Sequence, residues 1–83
     1  MSKVEVYSKA GCSYCDRAKQ LLRSKKKAFS EIRVDQDPQR LEEMLARSAG
    51  MKTVPQIYID NRLVGGFDDL VALDKAGKLD SML

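Results

Sequence analysis

Between residues 8 and 12 the hydrophobic period of the chain changes, and both of its cysteines stand just past the change. Lys3-Val4-Glu5-Val6-Tyr7-Ser8 alternates polar with apolar, mostly β-branched residues, the period of a strand. Lys9-Ala10-Gly11 interrupts that alternation. Beyond it, Cys15, Ala18, Leu21 and Leu22 recur at spacings of three and four and so share one face of a helix. Cys12 and Cys15 therefore fall at a strand-to-helix junction, with Cys12 at the point where the helix begins. That placement commits the N-terminal third of the chain to a β-then-α unit.

The rest of the chain can be read against that unit. Lys25 to Lys27 ends the first helix, and Ala28 to Val34 predicts a second strand with Phe29, Ile32 and Val34 as its apolar members. Asp35-Gln36-Asp37-Pro38 is turn chemistry, with Asp37 as an N-cap ahead of Pro at the first helical position. Leu41, Met44 and Leu45 form the apolar stripe of a second helix, closed by Gly50. Val54 to Ile59 predicts a third strand, Asp60-Asn61 a tight turn, and Arg62 to Gly65 a fourth strand. Asp68 and Asp69 precede Leu70, Val71 and Leu73, a last short helix that ends near Gly77. The element order is βαβαββα: one mixed four-stranded sheet, parallel across the crossover helix and antiparallel at the hairpin, with three helices. Eighty-three residues, without repeats or a linker, predict a single domain over 1–83.

Two cysteines three positions apart close too small a loop to staple a secreted miniprotein. No stretch approaches the length of a membrane span, and the first residues lack the apolar core of a secretory signal. The expected setting is cytoplasmic, where such a pair serves redox or metal chemistry. Zinc needs about four ligands, and the chain offers two cysteines and no histidine, so no metal site is expected and a redox dithiol is the stronger reading. The net charge of +3 is spread out except at Arg23 and Lys25-Lys26-Lys27, which fit a solvated helix end. Two Phe, three Tyr and no Trp leave little for base stacking, so no nucleic-acid partner is expected.

The helix start explains why the two cysteines differ. Unpaired N–H groups and the helix dipole favour an anion at Cys12, and the thiolate is the nucleophilic form. Lys9 adds positive charge nearby, Gly11 lets the chain turn sharply, and Asp16 opposes slightly. Cys15, one turn on, falls on the apolar face and should be the buried, resolving thiol.

Cys12-Ser13-Tyr14-Cys15 at the start of the first helix, then Thr53-Val54-Pro55-Gln56-Ile57 and Gly65-Gly66-Phe67-Asp68-Asp69-Leu70, resemble the glutaredoxins, in particular the short bacterial third type. The similarity runs from Val4 to about Leu79. It implies a thioredoxin fold and an enzyme that reduces protein–glutathione mixed disulfides and protein disulfides, with glutathione as reductant and no tightly bound cofactor. Cys12 would be the nucleophile and Cys15 the resolving thiol. The Val54 backbone would pair with the cysteinyl part of glutathione as an added strand, beside a cis Pro55. Lys9 would meet the glycine carboxylate, Tyr14 would pack beside the mixed-disulfide sulfur, and Thr53 would line the groove. Gly66, Phe67 and Asp68 (or Asp69) would hold the γ-glutamyl end. Read without the resemblance, Asp68 and Asp69 are an N-cap with an acidic first turn, and Lys9 is a loop lysine. Arg40 and Arg47 are left out of the site.

Two positions depart from the family's commonest pattern. Phe67 stands where close relatives often carry a third cysteine, and Ser13 where many carry proline. Family members without that proline can hold a [2Fe–2S] cluster between two subunits through the first cysteine and glutathione, so a dimeric cluster carrier is the alternative function, with Cys12 as the ligand. Otherwise the expected partners are glutathione and glutathionylated or disulfide-bonded proteins, with no membrane, and the expected unit is a monomer.

Overall fold

The computed structural model describes residues 2–83. Strand β1 (Val4–Ser8) is followed by helix α1 (Ser13–Ser24), strand β2 (Ser30–Arg33) and helix α2 (Pro38–Arg47). Strands β3 (Gln56–Ile59) and β4 (Arg62–Gly65) form a hairpin, and helices α3 (Phe67–Lys75) and α4 (Leu79–Met82) complete the chain. The sheet order is β2-β1-β3-β4, with β1 parallel to β2 and antiparallel to β3, and β3 antiparallel to β4. This is the expected thioredoxin fold.

The expected count of three helices is corrected to four. The segment after Gly77 is too short for a helical period to show, yet Leu79 is fully buried in the core and Ser2 Oγ donates to the Met82 carbonyl at 2.7 Å. Strands β2 and β3 also begin two residues later than their apolar patterns. Phe29 packs against the core from outside the ladder, and the chain before Gln56 is taken up by a cis Val54–Pro55 peptide. The Asp60-Asn61 turn is as expected: both residues have positive φ, 51° and 68°, which suits the twist of a two-residue hairpin. Asp37 caps α2 through its carboxylate, which accepts from the Gln39 N–H at 3.0 Å.

Alternation on the two central strands divides the core. Val4 and Val6 of β1 and Ile57 and Ile59 of β3 face α1, α3 and α4, packing on Ala18, Leu22, Leu70 and Leu79. Tyr7 and Tyr58 face the other way, onto Met44 of α2 and Ile32. Because both faces of β1 are covered, all five of its residues are buried, Glu5 included. A buried carboxylate needs a partner, and Arg47 of α2 supplies it at 3.2 Å. The layering leaves the C-terminal end of β1, the start of α1, the turn before β3 and the start of α3 at one end of the molecule.

Candidate active site

At the turn into α1, Gly11 has φ of +71°, a left-handed conformation that glycine enters without steric cost. Cys12 is the N-cap in extended backbone (φ −98°, ψ 104°), and its sulfur accepts from the Cys15 N–H at 3.1 Å. Cys12 and Cys15 are joined as a disulfide, their Cα atoms 5.2 Å apart, within ordinary reach of such a bond. The two sulfurs are unequal in access: Cys15 is fully buried beside Ala18 and Leu22, whereas Cys12 is only half-buried. The sequence pattern had placed both in these positions. It had not shown how the preceding loop is tied down. The Ala10 N–H donates to Asp35 Oδ2 at 3.2 Å, and Asp35 is gripped by the Arg33 guanidinium through two hydrogen bonds of 2.8 and 2.7 Å. That guanidinium holds the Asp35 carboxyl well below the usual carboxylate range. Asp35 reads in the sequence as turn chemistry only, and its link to Ala10 spans 25 positions.

The Cys12 sulfur lies 3.9 Å from the carbonyl oxygen of Val54, one of the residues lining a cavity of about 340 Å³. Tyr14, Thr53, Val54 and cis Pro55 line it together with Gly66, Phe67, Asp68 and Asp69. Eight candidate residues from three separate motifs thus share one groove, which Cys12 adjoins at Val54. Tyr14 is 53% exposed, its ring centroid 6.0 Å from that of Phe67 and 5.4 Å from the Arg17 guanidinium. Lys9 is exposed in the β1–α1 loop and is not part of the groove lining. Met51, 45% exposed, is a lining residue that the sequence did not signal.

The two aspartates have separate settings. Asp69 Oδ2 accepts from the Gly66 N–H at 3.1 Å and so closes the start of α3 upon itself. Asp68 is exposed at the groove and, among the described residues, has no ion pair. The first N–H groups of a helix have no intrahelical acceptor, so the groove is walled at this end by a helix start next to a carboxylate.

Arg40 and Arg47 are both engaged away from the groove. Arg40 pairs with Glu43 at 3.0 Å, and Arg47 donates to Glu5 and to the Tyr7 hydroxyl at 3.0 Å while its guanidinium stacks 4.0 Å from the Tyr58 ring centroid. Among the described residues no group of three or more His, Cys, Asp or Glu side chains is arranged to hold a metal ion.

A glutaredoxin family model matches residues 4–64. The chain belongs to the glutaredoxin family. It is 52% identical over 83 residues to Glutaredoxin 3 of Escherichia coli (strain K12), covering 100% of this chain and 99% of the relative. It is 54% identical over 83 residues to a glutaredoxin of Pseudomonas aeruginosa, covering 100% and 98%. Among solved structures, a buckwheat glutaredoxin–glutathione complex superposes with a TM-score of 0.87 at 31% identity, over 99% of this chain and 76% of that one. The solution structure of glutaredoxin from Brucella melitensis gives 0.83 at 48% identity, over 98% and 87%. Family and dithiol together make the chain a thiol–disulfide oxidoreductase. No described helix is long and apolar enough to cross a membrane.

Proposed function

We propose that this glutaredoxin uses glutathione as its reductant and acts first on protein–glutathione mixed disulfides, with Cys12 as the attacking sulfur. The observation that carries this is the groove: the more accessible of the two sulfurs lies 3.9 Å from the carbonyl of Val54, one of its lining residues, and the start of α3 also lines it, beside Asp68, which among the described residues has no ion pair. A γ-glutamyl group carries an ammonium and a carboxylate on one carbon. Asp68 suits the ammonium, and the N–H groups opening α3 suit the carboxylate. The Val54 backbone, next to Cys12, suits the peptide unit of the cysteinyl residue. Lys9, outside the groove but on the loop that leads into Cys12, suits the glycine carboxylate at longer reach. The buckwheat glutaredoxin–glutathione complex of the same fold supports glutathione as the ligand.

In the cycle, Cys12 thiolate attacks the glutathionyl sulfur of a mixed disulfide. A bond forms between Cys12 and glutathione, and the protein sulfur leaves as a thiolate that takes a proton from water. The thiolate of a second glutathione attacks the bound glutathionyl sulfur, giving glutathione disulfide and returning Cys12 thiolate. For a protein disulfide, Cys12 forms a mixed disulfide with one protein sulfur. The Cys15 thiol, losing its proton, then displaces that sulfur and leaves the Cys12–Cys15 bond seen in the structure. Two glutathiones reduce that bond, and two electrons pass in all. Whenever Cys12 is released as thiolate, the helix start stabilises that anion through the Cys15 N–H and the dipole.

The test separates the two thiols. Cys12→Ser is expected to abolish deglutathionylation of a small mixed disulfide, whereas Cys15→Ser retains it and loses reduction of protein disulfides. Equal loss in both variants would overturn the division of labour. Turnover sustained by a thioredoxin reductase but not by glutathione would overturn the reductant. The cluster-carrier alternative has Ser13 as its sole support, and protein purified anaerobically with iron and glutathione that stays a colourless monomer removes it.

A further inference from the structure

One wall of the groove is a loop with no secondary structure, residues 51–54, and a buried amide side chain on β3 holds it in place. Gln56 is 1% exposed, and its Nε2 donates to two carbonyl oxygens of that loop, Met51 at 2.9 Å and Thr53 at 3.0 Å. Its Oε1 accepts from the Tyr58 hydroxyl at 3.3 Å. Tyr58 is 2% exposed and is fixed in turn by the Arg47 guanidinium, 4.0 Å from its ring centroid, and by an edge-on contact with Tyr7. Gln56 and Tyr58 are two apart on β3 and share the α2 face. At the C-cap of α2, Ser48 Oγ accepts from the Met51 N–H at 3.1 Å and donates to the Met44 carbonyl at 2.8 Å. Gln56 touches neither sulfur and does not line the groove.

We propose that Gln56 is a positioning residue for ligand binding: its two donated hydrogen bonds set the level of Met51 and Thr53, and hence the place of the Val54 backbone against the groove. The chemistry of the side chain supports this. Both amide hydrogens are used on loop carbonyls, which a carboxylate could not satisfy and an aliphatic side chain would leave unpaired in a dry site. Polar groups buried in this way are retained where they fix one arrangement among several of similar packing quality. The inference rests on the groove being the glutathione site.

Gln56→Met keeps the length and bulk and removes both donors. It is expected to raise KM for a glutathionylated peptide roughly three- to tenfold, the range of one or two ordinary hydrogen bonds, with kcat and the alkylation rate of reduced Cys12 by iodoacetamide little changed. Deuterium uptake of the 50–54 segment should rise while β1 and the core of β3 stay protected. Ser48→Ala, which loosens Met51 from the α2 side and leaves β3 intact, should shift KM in the same direction, which keeps the proposal open to test if Gln56→Met folds poorly. An unchanged KM in both variants overturns the proposal, as does a loss of Cys12 alkylation in parallel with KM. Failure of the wild-type protein to saturate with the glutathionylated peptide is a different result, because it overturns the glutathione reading itself.

Discussion

Gly65 shows how one position without a side chain can hold a site open. Its φ is +126°, where L residues are strained, and a Cβ placed there would collide with the Asp69 carboxylate. That carboxylate is the group that accepts from the Gly66 N–H and sets the start of α3 along the groove. Gly65→Ala must therefore strain the backbone and also push Asp69 off its cap. Backbone strain of this kind costs about 1–3 kcal/mol, so the variant is expected to unfold at clearly lower urea concentration with an unchanged slope. A loss within about 0.5 kcal/mol, the range of an innocuous surface change, would show that the hairpin end relaxes freely. The sequence displayed Gly65-Gly66 as a break in the pattern, and the reason for the first glycine became visible only with Asp69 folded back on it. Cys12 and Cys15 were fully legible, because the period change put one at the helix start and the other on the buried stripe. Lys9 was placed in the site on resemblance alone, and the structure puts it beside the groove, not in its wall.

At the level of elements, what could be read was local and what could not was long-range. Helix α2 is the clearest local case: Asp37 before Pro38 marks its start, and the structure has the Asp37 carboxylate accepting from the Gln39 N–H with Pro38 in the first turn. Removing this cap by Asp37→Ala should cost about 1 kcal/mol, seen as a lower denaturation midpoint. Because Arg40 and Leu41 still bond the Asp37 carbonyl, the helix should survive, and loss of its far-ultraviolet signal would contradict that account. By contrast, the burial of Glu5 required knowing that β1 lies between β2 and β3 with helices on both faces. An alternating pattern cannot distinguish a half-exposed strand from a central one whose polar member has found an arginine 42 positions away. The role of Lys25 had the same character. It reads as part of a solvated helix end, yet it bridges Asp74 of α3 at 2.6 Å and Asp80 of α4 at 3.2 Å. Helix α4 itself, one turn long, carried no period to detect.

Over the whole molecule, three carboxylates tie the outer elements to the central strand or to the active-site loop, and all three ionise more easily in the fold than in an open chain. Glu43 of α2 accepts from the Tyr7 hydroxyl at 2.9 Å, which lowers its pKa from the ordinary 4.5. Glu31 of β2 accepts from Lys19 of α1 and from Ser8 of β1, both at 2.7 Å, and is lowered in the same way. Asp35 is lowered by the Arg33 guanidinium as it holds Ala10 ahead of Cys12. Each depressed carboxylate contributes stability above its unfolded pKa, near 4, and loses it as the pH falls through its folded value, because the unfolded chain then binds more protons than the native one. Stability should accordingly hold level from neutral pH to about pH 5 and decline below about pH 4. Denaturant unfolding at a series of pH values measures this directly, and Glu31→Gln together with Glu43→Gln should flatten the acid limb. The flattening should be partial, since Asp35 still titrates in the double variant. A wild-type profile with no acid limb, or a limb unaltered by the two substitutions, would remove these contacts as the cause. Because Asp35 is held furthest below the ordinary carboxylate range, its clamp on the loop before Cys12 should be the last of the three to give way as the pH falls.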